Sequence, residues 1–185
     1  RLGLGFSSFH DTMITDRRID DKAADESFVG GFSTVTELAI GGSLSRRFVL
    51  GAGFYGASIA DPSFTYVRGQ QPPDSFKRPE DFALYGLMGD FYIHPSHGFH
   101  IQAALGLATL SGFNADSQLF RPRELALGGG AMLGVGYEWP VGDRWGIGIL
   151  GRGTGGVTSE TASDGQRWYH LIGVSPSLLL SVTYH

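Results

Sequence analysis

The length and composition of the chain limit its class before any pattern is considered. Its 185 residues are expected to form a single domain spanning 1–185. Charged residues make up only 17% of the chain, below the roughly 25% usual in soluble domains. The net charge of −4 argues against a nucleic-acid-binding protein, which would show a basic face, and the absence of cysteine excludes disulfides and thiolate metal sites. No stretch approaches the ~18 consecutive apolar residues that a transmembrane helix needs.

Eight short apolar segments are predicted as β-strands, and each can supply the ~9–11 tilted residues that cross a bilayer. In chain order they cover 1–9, 32–41, 47–59, 82–94, 99–110, 125–139, 145–156 and 168–184. Long polar connections lie at 10–31, 60–81, 111–124 and 157–167, and tight ones lie at 42–46, 95–98 and 140–144. This alternation predicts an all-β, up-and-down antiparallel transmembrane barrel of eight strands, with long loops on one rim and short turns on the other. Pro176 interrupts the last strand and is expected to mark a bulge.

Within the predicted strands, bulky apolar residues alternate with small or polar ones, as the period of two in a strand requires. Segment 131–139 is an example, and its bulky face consists of Ala131, Leu133, Val135, Tyr137 and Trp139. A soluble sheet protein carries charge along its solvent-facing strand positions. Here those positions are apolar or glycine, so hydrocarbon is predicted to surround the strands, and the small, polar face is predicted to line the lumen.

The few charged residues inside the predicted strands lie on the small, polar face. We predict a lumenal polar network formed by Glu37, Asp90, His100, Gln102, Glu138 and Arg152, with Arg47 as a further candidate. Because buried charges are costly unless they are paired, the acids are expected to pair with Arg152 and Arg47. The network would then plug a lumen that eight strands leave narrow. A conducting pore through the same lumen is the alternative.

Three histidines, His94, His97 and His100, lie across one predicted hairpin. Strand geometry is expected to place His94 and His100 on the lumenal face near the short turn, with Asp90 close by, and imidazoles with a carboxylate can hold zinc or copper. Turns often carry histidines, however, and this spacing matches no metal-binding signature. The sequence therefore predicts no metal and no cofactor, and the three histidines remain candidates only.

Aromatic residues gather near the ends of the predicted strands. They are Phe48, Phe82, Tyr92, Phe99, Tyr137, Trp139, Trp145, Trp168, Tyr169 and Tyr184. Membrane barrels carry aromatic girdles at both interfaces, because amphipathic rings favour the level of the headgroups. The clustering of Tyr137, Trp139 and Trp145 around one short turn favours a girdle over the general enrichment of aromatics in strands.

These features together resemble the small eight-stranded outer-membrane barrels, the group that contains the OmpA transmembrane domain and OmpX. The likeness covers essentially the whole chain, and it is one of pattern. Leu178, Leu180, Val182 and Tyr184 alternate on one face, similar to the C-terminal assembly signal of the family, although His185 follows the aromatic residue. The resemblance implies the outer membrane of a Gram-negative bacterium, external long loops, periplasmic short turns, contact with the bilayer and its lipopolysaccharide, and insertion by the barrel-assembly machinery.

Some barrels of this kind are lipid A hydrolases or acyltransferases, so the resemblance leaves catalysis as an alternative. A serine nucleophile needs a histidine within hydrogen-bonding reach, and the candidate pairs are His170 with Ser175 or Ser177, and His10 with Ser8. The family deacylase carries a His-x-Ser-Asn motif, which this chain lacks. No catalytic residue is predicted, and the chain is not expected to be an enzyme.

The sequence therefore favours an outer-membrane barrel with a structural or interaction role. Its loops 10–31 and 60–81 carry exposed apolar residues and are expected to contact a ligand or a partner protein. A narrow pore, a lipid-modifying enzyme and a soluble lipocalin-like carrier are the alternatives. The carrier requires an apolar interior and a polar exterior, which is the reverse of the predicted faces.

Overall fold

The computed structural model describes residues 2–14, 26–61, 63–68, 80–94, 98–112, 126–161 and 167–184. This part of the chain contains nine β-strands and no helix. They are β1 (Leu2–Ile14), β2 (Glu26–Ser45), β3 (Phe48–Ile59), β4 (Ser63–Arg68), β5 (Glu80–Tyr92), β6 (Phe99–Gly112), β7 (Ala126–Val141), β8 (Trp145–Thr161) and β9 (Arg167–Tyr184). In the described part, no helix is long and apolar enough to cross a membrane.

The strands form one antiparallel sheet with the order β1-β9-β8-β7-β6-β5-β3-β2-β4. β1 also pairs with β2, so the sheet curls into a near-closed barrel. Leu2 begins this seam, because it pairs with Leu180 on one side and with Thr36 on the other. The predicted all-β, up-and-down antiparallel barrel is therefore confirmed as an architecture.

Strand pairing extends beyond the limits that the apolar pattern predicts. The segment predicted as 32–41 is β2, which runs from Glu26 to Ser45. The predicted loop 60–81 is also wrong in part, because it contains β4. β4 is rich in the aromatic and β-branched residues that favour strands, and it pairs with Glu26–Gly30 at the start of β2. A strand continues as long as a neighbour supplies backbone hydrogen bonds, whether or not its side chains alternate.

One end of the barrel is defined by short connections, and we call it the turn end. Here Phe48 pairs with Phe91, and Val141 pairs with Trp145. The turn that joins β7 to β8 contains Gly142, whose φ of 71° lies in the left-handed region that glycine adopts without a steric penalty. The predicted bulge near Pro176 is confirmed, because the register of β9 shifts beside it against both β8 and β1.

The interior divides into two halves along the barrel axis. Away from the turn end, the inward face is apolar, as in the run of paired positions Phe82, Leu110 and Ala126. Towards the turn end, the inward face is polar and charged, with Asp90 paired to Gln102. The polar half of the interior is where candidate functional residues gather.

Candidate functional site

The structure buries all six side chains of the predicted lumenal network. The exposed fractions of the whole residues are Glu37 2%, Asp90 4%, His100 1%, Gln102 0%, Glu138 5% and Arg152 5%. The strand register explains why these residues lie close together, since Asp90 pairs with Gln102, Gln102 with Gly134, and Gly134 with Arg152. These positions form one continuous row across β5, β6, β7 and β8.

Three of the predicted residues, Glu37, Gln102 and Arg152, meet in what we call the central cluster, together with Tyr55. Nη1 of Arg152 lies 3.0 Å from Oε2 of Glu37, and both side chains are only 2% exposed. Nε2 of Gln102 donates to the other carboxylate oxygen at 3.0 Å. Nη2 of Arg152 donates to the carbonyl of Thr36 at 3.3 Å. The guanidinium carbon also lies 5.6 Å from the centre of the Tyr55 ring, within the range of a cation–π interaction.

This arrangement satisfies the condition under which a charge is tolerated away from water. An isolated buried carboxylate or guanidinium is strongly destabilising, whereas a hydrogen-bonded pair offsets much of that penalty. Glu37 accepts from two donors and carries the opposite charge of Arg152. The ion pair between Glu37 and Arg152 is therefore the charged link between β2 and β8 across the interior.

Glu138 and His100 belong to a second group, the rim cluster, together with Tyr92 and Thr183 at the turn end. The Tyr92 hydroxyl donates to Oε2 of Glu138 at 2.9 Å, and Oγ1 of Thr183 donates to Oε1 at 2.6 Å. The imidazole of His100 lies 5.1 Å from the Tyr92 ring, and its Nδ1 is 3.0 Å from the carbonyl of Gly98. The structure thus places Glu138 apart from the central cluster and holds it with hydroxyl donors.

Glycines beside two of the large buried side chains supply the room that these side chains occupy. A β-carbon added at Gly136 would lie 2.7 Å from the imidazole of His100. One added at Gly53 would lie 2.6 Å from the hydroxyl oxygen of Tyr55. Since real β-carbon contacts are longer than this, the two glycines are required by the packing of the inward face.

Two residues do not lie where the sequence predicts. Arg47 is exposed in the turn between β2 and β3, and not in the lumen. His94 is also exposed, because β5 ends at Tyr92, after which strand alternation no longer sets the direction of a side chain. His97 lies outside the described residues. Within the described ranges, no three His, Cys, Asp or Glu side chains lie close enough together to hold a metal ion.

Two aromatics predicted for the interfacial girdle face inward. Phe82 is 2% exposed in the apolar half of the interior, and Tyr92 donates to Glu138 in the rim cluster. Tyr55 and Thr183, which contact the buried charges, were not predicted from the sequence. The period of two along β3 could have identified Tyr55, which shares the inward face with Ala57 and Ile59.

The structure describes only part of the candidate serine–histidine pairs. Ser175 is buried, and Oγ of Ser177 donates to the carbonyl of Arg152 at 3.4 Å. The side chains of His170, His10 and Ser8 lie outside what the structure describes, although their backbones are placed in strands. His170 pairs with Thr158, and Ser177 pairs with Arg152, so the two stand several positions apart along β9.

No family model matches the chain, and no curated protein matches its sequence. Among solved structures, it is similar to the outer membrane protein AlkL in lipid bilayers, with 13% identity, 99% of this chain and 88% of that chain covered, and a TM-score of 0.42. It is also similar to the outer membrane protein OprG from Pseudomonas aeruginosa, with 9% identity, 98% of this chain and 94% of that chain covered, and a TM-score of 0.40. A third similar structure is the outer membrane protease OmpT from Escherichia coli, with 10% identity, 100% of this chain and 95% of that chain covered, and a TM-score of 0.40. All three of these proteins are outer-membrane proteins.

Proposed function

We propose that this protein is an integral barrel of the Gram-negative outer membrane with a structural or interaction role. One observation carries the proposal. Among the strand positions whose side chains are described, no exposed residue is charged, and the exposed set includes many large apolar residues. Leu38, Ile40 and Leu105 are 72%, 82% and 69% exposed. Soluble monomers rarely expose such a continuous apolar surface, whereas a barrel in lipid requires it.

Aromatic residues at the turn end support an interfacial girdle there. Trp139, Trp145 and Tyr184 are about half exposed, at 47%, 52% and 60%. The Trp145 and Tyr184 rings pack edge to face at 5.1 Å, and Nη1 of Arg144 donates to the Tyr184 hydroxyl at 3.2 Å. Rings with one apolar and one hydrogen-bonding end match the chemistry of the headgroup region.

The barrel wall in this proposal has eight strands, because β3 and β4 act as one interrupted strand. Only residues 60–62 separate them, and both pair with β2. The strand ends that flank 15–25, 69–79, 113–125 and 162–166 then share the rim opposite the turn end, since consecutive strands are antiparallel. This rim would face the outside of the cell, as it does in the small outer-membrane barrels that the sequence resembles.

The buried clusters support a plugged lumen over an open channel. The central cluster crosses the interior from β2 to β8, and the apolar residues of the other half fill the space beyond it. A barrel of eight strands has an interior just wide enough for its own side chains. We therefore propose that the protein conducts no ions and that its polar interior stabilises the fold. No enzymatic role is proposed.

The function of such a barrel resides in its loops. The segments 15–25 and 69–79, which lie within the predicted loops 10–31 and 60–81, hold mixed charge together with the apolar residues Ile19 and Phe76 and lie outside the described residues. Apolar residues in loops are destabilising when water surrounds them, and a partner that covers them removes this cost. Contact with a ligand or with another protein through these loops is the interaction role that we propose.

The test is purification from membranes in a mild non-ionic detergent, followed by mass spectrometry of attached molecules. We expect the chain in the membrane fraction after washes that remove peripheral proteins, with a companion protein or ligand that is lost when 15–25 or 69–79 is replaced by a short glycine-serine linker. Recovery in the soluble fraction would contradict the membrane proposal. A lone barrel whose behaviour is unchanged by the loop replacements would contradict the interaction role alone.

A further inference from the structure

The charged residues outside the interior are distributed unevenly between the two ends of the barrel. At the turn end, Arg46 and Arg47 are exposed in the turn between β2 and β3, and Asp143 and Arg144 are exposed in the turn between β7 and β8. Three arginines against one aspartate give these turns a net charge of +2, whereas the whole chain carries −4. Towards the opposite rim the described charged residues are mostly acidic, with Asp11, Glu26, Asp61, Glu80, Asp81 and Glu160 against Arg68 and Arg167.

The arginines at the turn end are not neutralised by neighbouring carboxylates. Within the described part of the chain, none of Arg46, Arg47 and Arg144 forms an ion pair, and Asp143 does not pair with the arginine that follows it. Glu138 is buried in the rim cluster, where hydroxyl groups donate to both of its carboxylate oxygens. The three guanidinium groups therefore present positive charge to the surroundings of the turn end.

Arg144 lies at the level of the aromatic girdle. Its Nη1 donates to the Tyr184 hydroxyl at 3.2 Å, and the Tyr184 ring packs edge to face against Trp145 at 5.1 Å. Exposed rings of this kind favour the headgroup region of a bilayer, which is also where the phosphate groups of lipids lie. Because the hydroxyl is a neutral partner, the hydrogen bond orients the guanidinium and leaves its charge for an anion.

Arg46 and Arg47 lie just beyond the apolar outward face of β2. Leu44 is exposed two residues before Arg46, and a strand rises only about 3.3 Å per residue. The turn is fixed to the barrel wall, because the carbonyl of Arg47 accepts from the Tyr92 N–H at 2.8 Å and the N–H of Arg47 donates to Oγ of Ser45 at 3.3 Å. Two adjacent cations are thus held at the edge of the apolar belt.

Cations at this level match the phosphate groups of lipids. A guanidinium forms strong, charge-assisted hydrogen bonds with phosphate, and a basic residue near an anionic leaflet gains roughly a fivefold preference for it. We propose that Arg46, Arg47 and Arg144 bind the phosphate groups of anionic phospholipids in the leaflet that surrounds the turn end. This inference rests on the proposed function, because it requires a barrel that spans a membrane. Phosphatidylglycerol should be preferred to phosphatidylcholine, whose own quaternary ammonium group neutralises its phosphate.

The first test measures quenching of tryptophan fluorescence by brominated lipids, with the barrel in phosphatidylcholine vesicles. The chain has three tryptophans, and a W168F background leaves Trp139 and Trp145 near Arg144 at the turn end. We expect brominated phosphatidylglycerol to bind beside them roughly five times more tightly than brominated phosphatidylcholine, and R144Q to remove this difference. Because the bromine atoms are on the acyl chains, the signal reports lipid and not free phosphate. Equal quenching by the two lipids before R144Q is introduced would overturn the proposal, whereas quenching by neither would contradict the membrane assignment on which it rests.

The second test addresses Arg46 and Arg47 by native mass spectrometry of the barrel released from nanodiscs that contain equal amounts of the two lipids. The double variant R46Q/R47Q should retain fewer phosphatidylglycerol molecules than the wild type, with no change in retained phosphatidylcholine. R46K/R47K is the matched control, because it keeps both positive charges and should retain phosphatidylglycerol as the wild type does. Equal retention by R46Q/R47Q and the wild type, or equal losses in the glutamine and lysine variants, would overturn the assignment of these two arginines.

Discussion

Two residues of the same strand, β6, summarise the difference between the inside and the outside of this barrel. Gln102 is fully buried and hydrogen-bonds to a carboxylate, whereas Leu105 is 69% exposed. Most soluble proteins distribute these residue types the other way round. If the barrel lies in the outer membrane as proposed, the surrounding solvent explains which face of a strand is polar. Hydrocarbon outside would then stabilise the exposed apolar face, and charged side chains would be more stable in the interior.

The two faces also differ in how they tolerate a change. Inside, each charged group depends on named partners, as Glu37 depends on Arg152 and Gln102. Outside, a side chain such as Leu105 needs only an apolar environment, and no specific partner. Substitutions should therefore act through lost pairing on the inward face and through depth in the bilayer on the outward face.

The largest decrease in the free energy of unfolding is expected from R152M. This change leaves Glu37 buried without its cation, and breaking a buried pair in this way destabilises a protein by about 3–5 kcal/mol. The measurement is urea unfolding of the barrel in phospholipid vesicles, followed by tryptophan fluorescence. The double variant E37L/R152M removes both charges and should recover most of the loss. A loss below about 1 kcal/mol for R152M would mean that the ion pair is not needed inside the barrel.

The next largest loss of stability is expected when an outward-facing leucine is replaced by arginine, and the loss should depend on the depth of that leucine in the bilayer. Leu105 and Leu44 are almost equally exposed, at 69% and 67%, but Leu105 lies mid-strand whereas Leu44 adjoins the turn at 46–47. In lipid, L105R should destabilise the barrel by about 2–4 kcal/mol and L44R by about 0–1 kcal/mol. The same vesicle unfolding assay measures both. Equal and small effects at the two positions would indicate that water, and not lipid, surrounds the strands.

A smaller loss of stability is expected when a glycine on the inward face is replaced by alanine, and the same replacement on the outward face is the control. The added methyl of G136A meets the His100 imidazole at 2.7 Å and the Ile149 carbonyl oxygen at 3.0 Å, so we expect a loss of about 1–3 kcal/mol. Gly129 lies on the same strand with nothing within 4 Å of an added methyl. G129A should therefore change the free energy of unfolding by less than about 0.5 kcal/mol. Equal losses for the two variants would show that steric crowding on the inward face is not what requires Gly136.

The sequence predicts the class of the fold because its strongest signal is local. The alternation in 131–139 separates outward Leu133 and Val135 from inward Met132 and Gly134, and the burial of these residues follows it. The inward position of Glu138 and Arg152 follows from the same period of two. Polar residues on a small-residue face can thus be assigned to the interior before any partner is known.

The partners of the buried charges and the ends of the strands could not be predicted, because they depend on contacts between strands that the alternation of residues does not encode. The partners of Arg152 are set by the relative register of β2 and β8, which are far apart in sequence, so Tyr55 and the Thr36 carbonyl were not predicted. Strand ends are set by pairing with neighbours, which explains why β4 was missed. His94 and Arg47 were wrongly placed for the same reason, because both lie just beyond the last paired residues.

The most direct test of the membrane assignment uses the absence of cysteine in the chain, which allows single spin labels to be attached cleanly. L105C places a label on the outward face, and D143C places one in the turn between β7 and β8. Electron paramagnetic resonance in lipid vesicles then measures collisions with oxygen, which concentrates in hydrocarbon, and with a water-soluble nickel chelate. We expect the label at residue 105 to collide with oxygen and to be shielded from nickel, whereas the label at residue 143 should collide with nickel. Equal access of nickel to both labels would contradict a lipid-facing exterior.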